Sequence, residues 1–251
     1  MRSSLLARIL TLLGSGMLLL TTPAAHATAA CQAGTLYLTF DTGNMRHAEL
    51  IADTLARHGV KATFFLAQEE TTRGDHALDA SWAPYWRARV AEGHAFGSHT
   101  WRHGSFRSDS GERVRYRLPD GRSETLDAPA VCEELKRPDS RFQELTGHRL
   151  DPLWRAPGGR TTPNTLAAAR ACGYQHVGWA PAGFLGDELP SDSYPNALLV
   201  QRALDRLKDG DIVMAHLGIW SRKDPFAPML DPLISGLKSK GFCFSTRRPQ
   251  P

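Results

Sequence analysis

Two histidines four residues apart, in SHTWRH from Ser98 to His103, give the sequence its first chemical signal. On one helical turn such a pair points to the same side and could hold a single metal ion. Thr100 stands where a metalloprotease carries its glutamate base, so the pair is not that signature. Asp41 closes the β-favouring run LTF, two positions before Gly43, so a strand ends by presenting one carboxylate beside the neutral Thr42. In WRAPGG, Arg155 ends another apolar run ahead of a proline and two glycines, whose backbone N–H groups could approach a substrate closely. In IVMAHLG, His216 follows a buried-looking strand. Imidazole titrates at about 6.5 when unperturbed, which suits a proton donor to a leaving amine. Taken singly, each has an ordinary reading: two solvated histidines, a surface arginine before a turn, a structural histidine.

These residues act together only if the chain between them brings them to one place. Strands are predicted at 36–40, 62–66, 95–98, 153–155, 175–179, 211–215 and 242–245. Amphipathic stretches from His47, Tyr85, Thr162, Pro195 and Met229 separate them, and several end in glycine as helices do. Alternating strand and helix implies a parallel sheet, open or closed into a barrel. In such sheets the carboxyl ends of the strands share one rim, which carries the active site. Asp41, His99, His103, Arg155 and His216 all fall at predicted strand ends. RVRYRLPDGRSETLDA, from Arg113 to Ala128, breaks the rhythm and reads as an inserted β-hairpin turning at Pro119-Asp120-Gly121. Pro138 falls inside the next helical pattern and is expected to break or restart it.

The first 27 residues have the order of a secretory signal: Arg2 and Arg8, an apolar stretch from about Ile9 to Leu20, then Pro23 and small residues up to Ala25-His26-Ala27. The apolar stretch is too short for a comfortable membrane span, and no later segment is long and apolar enough to cross a bilayer. The expected organisation is a leader over 1–27 and one α/β domain over 28–251, with the insertion near 105–128; no internal repeat or linker argues for a second domain. The formal charge of +4 falls to about +2 once Arg2 and Arg8 leave, too weak and dispersed to argue for nucleic acid. Four cysteines in an exported chain imply two disulfides, with three connectivities open. Chain ends often lie close together, so Cys31 is expected to pair with Cys243 and Cys132 with Cys172; none is spaced like a zinc-thiolate site.

TFDTG, KATFFL, GHAFGSHTWRH, RAPGG and IVMAH, in this order along nearly the whole mature chain, resemble the NodB-type polysaccharide deacetylases of carbohydrate esterase family 4. The resemblance implies a distorted (β/α)7-type barrel and metal-assisted removal of acetyl groups from a sugar polymer. It implies that His99 and His103 bind a divalent metal, usually zinc, which polarises the acetyl carbonyl and acidifies a water. Asp41 would be the general base, His216 the acid, and Arg155 would orient Asp41. Gly158 would supply backbone N–H groups to the oxyanion.

Two positions depart from the family pattern. The motif usually reads Thr-Phe-Asp-Asp-Gly, and its second aspartate is the third metal ligand; here that position is Thr42. A neutral hydroxyl is a poor zinc ligand. Three outcomes follow: the histidines and Asp41 hold the metal, a carboxylate from elsewhere joins them (Asp75 and Asp109 are candidates), or no metal binds and the chemistry is lost. The family also tends to place an aspartate shortly after a tryptophan, to pair with the catalytic histidine. Here Trp179 is present, and Asp187, eight residues on, reaches His216 only if the loop folds back.

The expected substrate is an acetylated glycan outside the cytoplasm, peptidoglycan or an N-acetylglucosamine polymer. Trp220 and Trp179 are assigned to the substrate side, whereas Trp101 and the rings of SWAPYW are assigned to packing. The alternatives are a non-catalytic glycan-binding protein on the same scaffold, or a related hydrolase of another small amide or ester. The residues do not choose an oligomeric state.

Overall fold

In the computed structural model, which describes residues 31–248, the chemistry-bearing residues hang from a curled parallel sheet. Its strands are β1 (Gly34–Asp41), β2 (Thr63–Leu66), β3 (Ala95–Ser98), β7 (Leu153–Trp154), β8 (Gln175–His176), β9 (Ile212–His216) and β10 (Phe242–Phe244). The inserted strands are β4 (Ser105–Ser110), β5 (Arg113–Arg117) and β6 (Ser123–Leu126). Helices α1 (Ala48–Arg57), α2 (Ala83–Ala91), α3 (Ala128–Thr146), α4 (Pro163–Ala171), α5 (Asn196–Arg206) and α6 (Leu230–Ser239) return the chain between parallel strands.

The sheet runs β10–β1–β2–β3–β7–β8, with β9 also paired to β1. Among the described residues no regular strand joins β8 to β9. An irregular stretch at 180–185 takes that place: the Ala180 N–H donates to the Ile212 carbonyl (3.1 Å) and the Leu185 N–H to that of Met214 (3.2 Å). The α/β architecture expected from the sequence is thus present, with the curled parallel sheet forming a half-barrel and this irregular stretch lying against β9. β7 and β8 are shorter than their predicted runs: the Val177 N–H still donates to the Trp154 carbonyl (2.8 Å), and residues 178–179 lie beyond the ladder, just before the irregular stretch.

β2 and β3 are buried along their whole length, as strands covered on both faces must be. Phe64 of β2 sits at the centre of an aromatic stack, its ring 5.7 Å from that of Phe40 and 5.9 Å from that of Phe96. Phe64→Ala is expected to destabilise the fold by about 3–5 kcal/mol, measured by urea unfolding.

The predicted hairpin forms with Val114 opposite Leu126 and Arg117 opposite Ser123. β4 joins it through a second antiparallel ladder, for which SFRSDS gives little apolar alternation. Pro138 does not break α3. The helix runs unbroken from an Asp127 cap, whose carboxylate accepts from the Ala130 N–H (3.0 Å), to Gly147 in the left-handed region. Proline removes one backbone donor, while Leu135, Pro138 and Phe142 bury the same helix face and outweigh that loss. Both expected disulfides are formed, Cys31–Cys243 and Cys132–Cys172. The 1–27 leader lies outside the described residues. Among the described residues no helix is long and apolar enough to cross a membrane.

Candidate active site

Parallel register gathers the strand ends on one rim. Asp41 lies opposite His216 across the β1–β9 ladder, and Ser98, just before His99, lies opposite Trp154, just before Arg155. Gly43 lets the chain turn at this rim: its φ is 55°, and a Cβ there would meet the Gly218 carbonyl oxygen at 2.1 Å.

Asp41 is buried, and Arg155 Nη1 donates to its Oδ1 at 2.9 Å. Arg155 is itself completely buried and fixed by further donations to Thr39 Oγ1 (2.8 Å), the Val177 carbonyl (3.1 Å) and the Gly178 carbonyl (3.2 Å). Burial alone would raise the Asp41 pKa, but the charges of Arg155, His99 and His216 outweigh it and hold the carboxyl below its ordinary value. Asp41 is therefore ionised at neutral pH.

His99 and His103 meet, although not on a helical turn. The segment is a loop, with Thr100 (φ 64°) and His103 (φ 52°) in the left-handed region. This backbone brings the rings to 4.9 Å between centroids. Non-glycine residues rarely adopt that conformation, and such strain collects at functional sites. His99 Nδ1–H donates to the Arg155 carbonyl at 2.9 Å, which leaves the Nε2 lone pair facing Asp41 Oδ2 at 3.5 Å. Burial pushes the His99 imidazole down to about 4, so it stays neutral and able to ligate at neutral pH.

Thr42 bonds to a residue the sequence reading did not single out. Its hydroxyl donates to Glu69 Oε2 and accepts from the Ala67 N–H (3.2 Å). The Gly43 N–H donates to the same Glu69 oxygen at 2.8 Å, and Oε1 lies 3.4 Å from His103 Nδ1. Asp75 and Asp109 do not take this place. Asp75 accepts from Ser81 (2.5 Å), Trp82 Nε1 (3.0 Å) and Thr71, and Asp109 accepts from the Asn164 N–H (3.2 Å). Glu69 lies three residues beyond the end of β2. The strand-end rule that marks Asp41 would have found it if extended past the second strand.

One carboxylate holds both the backbone and the ring of His216. The loop after Trp179 folds back, so that Asp187 Oδ2 accepts from the His216 N–H (2.7 Å) and Oδ1 from Nδ1–H (3.1 Å). Burial would lower the His216 pKa, but Asp187, with help from Asp41 and Glu188, raises it to about 10. At neutral pH this imidazole is a protonated acid.

His103, His216, Glu69, Glu188, Pro119 and Trp220 line an open cleft of about 650 Å³. Trp220 is 62 % exposed, whereas Trp82 and Trp86 are core residues and Trp101 packs beside Arg137. Gly158 and Trp179 do not line this cleft. Gly158 is exposed in a left-handed turn, and Trp179 packs so closely that a Cβ on Gly159 would fall 2.6 Å from its ring. Among the described residues no three His, Cys, Asp or Glu side chains are already drawn together as an ion site. The donors instead stand as two facing pairs, His99 with Asp41 and His103 with Glu69. Imidazole nitrogen with carboxylate oxygen is a donor set that fits zinc and similar divalent metals.

Comparison with known proteins agrees with the fold and the family resemblance. A peptidoglycan-N-acetylglucosamine deacetylase of Bacillus cereus is 25% identical over 211 residues, covering 83% of this chain and 65% of that protein. A chitin deacetylase of Pestalotiopsis is 28% identical over 151 residues, covering 60% of this chain and 42% of that protein. The chain thus spans less than two thirds of the length of both. A family 4 acetyl xylan esterase from Clostridium thermocellum, solved with a cobalt ion, shares the fold with a TM-score of 0.65 at 22% identity, over 84% of this chain and 87% of that one. The polysaccharide deacetylase profile matches residues 29–177, more than half of the sequence. The chain belongs to the polysaccharide deacetylase family, the NodB-type hydrolases of carbohydrate esterase family 4.

Proposed function

We propose that this chain hydrolyses acetyl groups from an N-acetylglucosamine polymer, chitin-like or peptidoglycan, outside the cytoplasm and with a bound divalent metal, zinc for preference. One observation carries the reading: a buried carboxylate paired with Arg155 lies opposite, in the adjacent strand, an imidazole paired with Asp187, and that imidazole lines an open cleft. A base and an acid set apart in this way by their surroundings are what amide hydrolysis needs. The deacetylase relatives and the cobalt-bound esterase support the substrate class and the metal. The secretory-type leader and the two disulfides support a periplasmic or secreted location.

Held by His99 and His103, the metal would act as a Lewis acid on the acetyl carbonyl and acidify the attacking water. Asp41 accepts the proton of that water as its oxygen bonds to the carbonyl carbon. Arg155 keeps Asp41 charged and oriented. As the C–N bond breaks, His216 gives its Nε2 proton to the sugar nitrogen, leaving acetate and a free amine. Asp187 holds Nδ1 and so leaves Nε2 to act. Trp220 offers an exposed ring for a sugar face. No substrate contact is assigned to Gly158 or Trp179.

Zinc-loaded mature protein should release acetate from N-acetylglucosamine oligomers or from peptidoglycan, measured by a coupled acetate assay. Glycan binding without acetate release under zinc, cobalt or manganese would instead identify a non-catalytic glycan-binding protein.

A further inference from the structure

We propose that Glu69 is the third protein ligand of the metal held by His99 and His103, and that Thr42 is the residue that positions it; this rests on the metal-assisted reading above. Glu69 is largely buried, its side chain 16% exposed, and no lysine or arginine among the described residues pairs with it. Buried charges in proteins are paired or coordinate metals. Asp41, the other carboxylate here, is already matched by the buried Arg155 guanidinium. Glu69 has only neutral donors on one oxygen, the Thr42 hydroxyl and the Gly43 N–H, and an imidazole facing the other. One oxygen is anchored and the second is turned toward His103, which is how a ligating carboxylate is held by its outer partners.

Thr42 is suited to this arrangement and an acid is not. The side chain is fully buried and its hydroxyl bridges the Ala67 N–H and Glu69. Aspartate at 42 would set a second carboxylate against Glu69 in place of a donor, and like charges so close disfavour each other. A carboxylate has in effect moved from the end of β1 to the loop after β2, and a hydroxyl stands where its charge would collide.

Zinc affinity of the chelator-stripped full chain, titrated against a competing chelator, tests this directly, with the visible spectrum of the cobalt form as a second readout. Glu69→Gln should weaken zinc on the order of 100-fold or more, beyond the 10–100-fold that loss of an outer partner brings. The cobalt bands should change with it, while the circular dichroism of the folded protein stays the same. Thr42→Val should lose about 10–100-fold. Thr42→Asp should not tighten binding in the otherwise unaltered chain, yet should restore it by tenfold or more when added to Glu69→Gln. If the unaltered chain binds zinc and Glu69→Gln binds it equally well, the assignment of Glu69 is overturned and the metal reading stands. If the unaltered chain binds no zinc, both are overturned.

Discussion

Asp41→Asn is expected to lower kcat for acetate release by about 10²–10⁴-fold, the range over which a positioned general base contributes. Asparagine keeps the shape of the carboxylate and an oxygen for Arg155, but cannot take a proton from water. The substitution also leaves a fully buried guanidinium without its counter-charge. Breaking a buried ion pair from one side costs about 3–5 kcal/mol, so the melting temperature should fall too and activity should be compared where both proteins are folded. The pH dependence has a definite sign. The folded Asp41 pKa is depressed, so its stabilising contribution is present above the ordinary carboxylate pKa and is lost as pH falls through the folded value. Asp41 therefore adds no acid limb to the rate near neutrality. Unchanged turnover in folded Asp41→Asn would remove Asp41 from the mechanism.

His216→Ala should cost a comparable 10²–10⁴-fold, and Asp187→Asn provides the more informative companion. The unaltered protein should hold its activity to alkaline pH and lose it as His216 deprotonates near pH 10. Without the Asp187 charge, burial again dominates and the alkaline limb should move down toward or below the unperturbed value of about 6.5. Linkage carries the same sign into stability. The folded pKa is raised, so the His216 contribution is fully present below about pH 6.5 and is lost as pH rises through about 10. Urea unfolding across this window should show that slope in the unaltered protein and a flatter one in Asp187→Asn. An alkaline limb that stays in place in the variant would disconnect Asp187 from the acid.

The sequence was most legible where local pattern and architecture point the same way. β-rich runs ending in Asp41, His99, Arg155 and His216 mark a rim because parallel sheets gather strand ends, and the register then places Asp41 beside His216. The pairing of Cys31 with Cys243 follows from the closeness of chain ends. Legibility fails where tertiary contacts override the local signal. Spacing alone puts His99 and His103 on a helical turn, but left-handed residues in a loop bring them together instead. Pro138 reads as a break until the burial of its helix face is known. Asp187 reaches His216 through a fold-back that no periodicity encodes. Glu69 falls within reach of the strand-end rule three residues past β2, but the contact that singles it out, the Thr42 hydroxyl, is tertiary.

The Cys31–Cys243 bond has a consequence for the unfolded protein. It joins positions 212 residues apart, so nearly all of the described chain lies inside one covalent loop. Denatured but oxidised, the molecule is a ring rather than a free coil, and it has less conformational freedom to gain on unfolding. β1 and β10 are paired at the foot of that ring, with Thr35 opposite Cys243. The outermost strand cannot separate fully from the strand that carries Asp41, and Cys31 and Cys243 stay tethered until the bond is reduced.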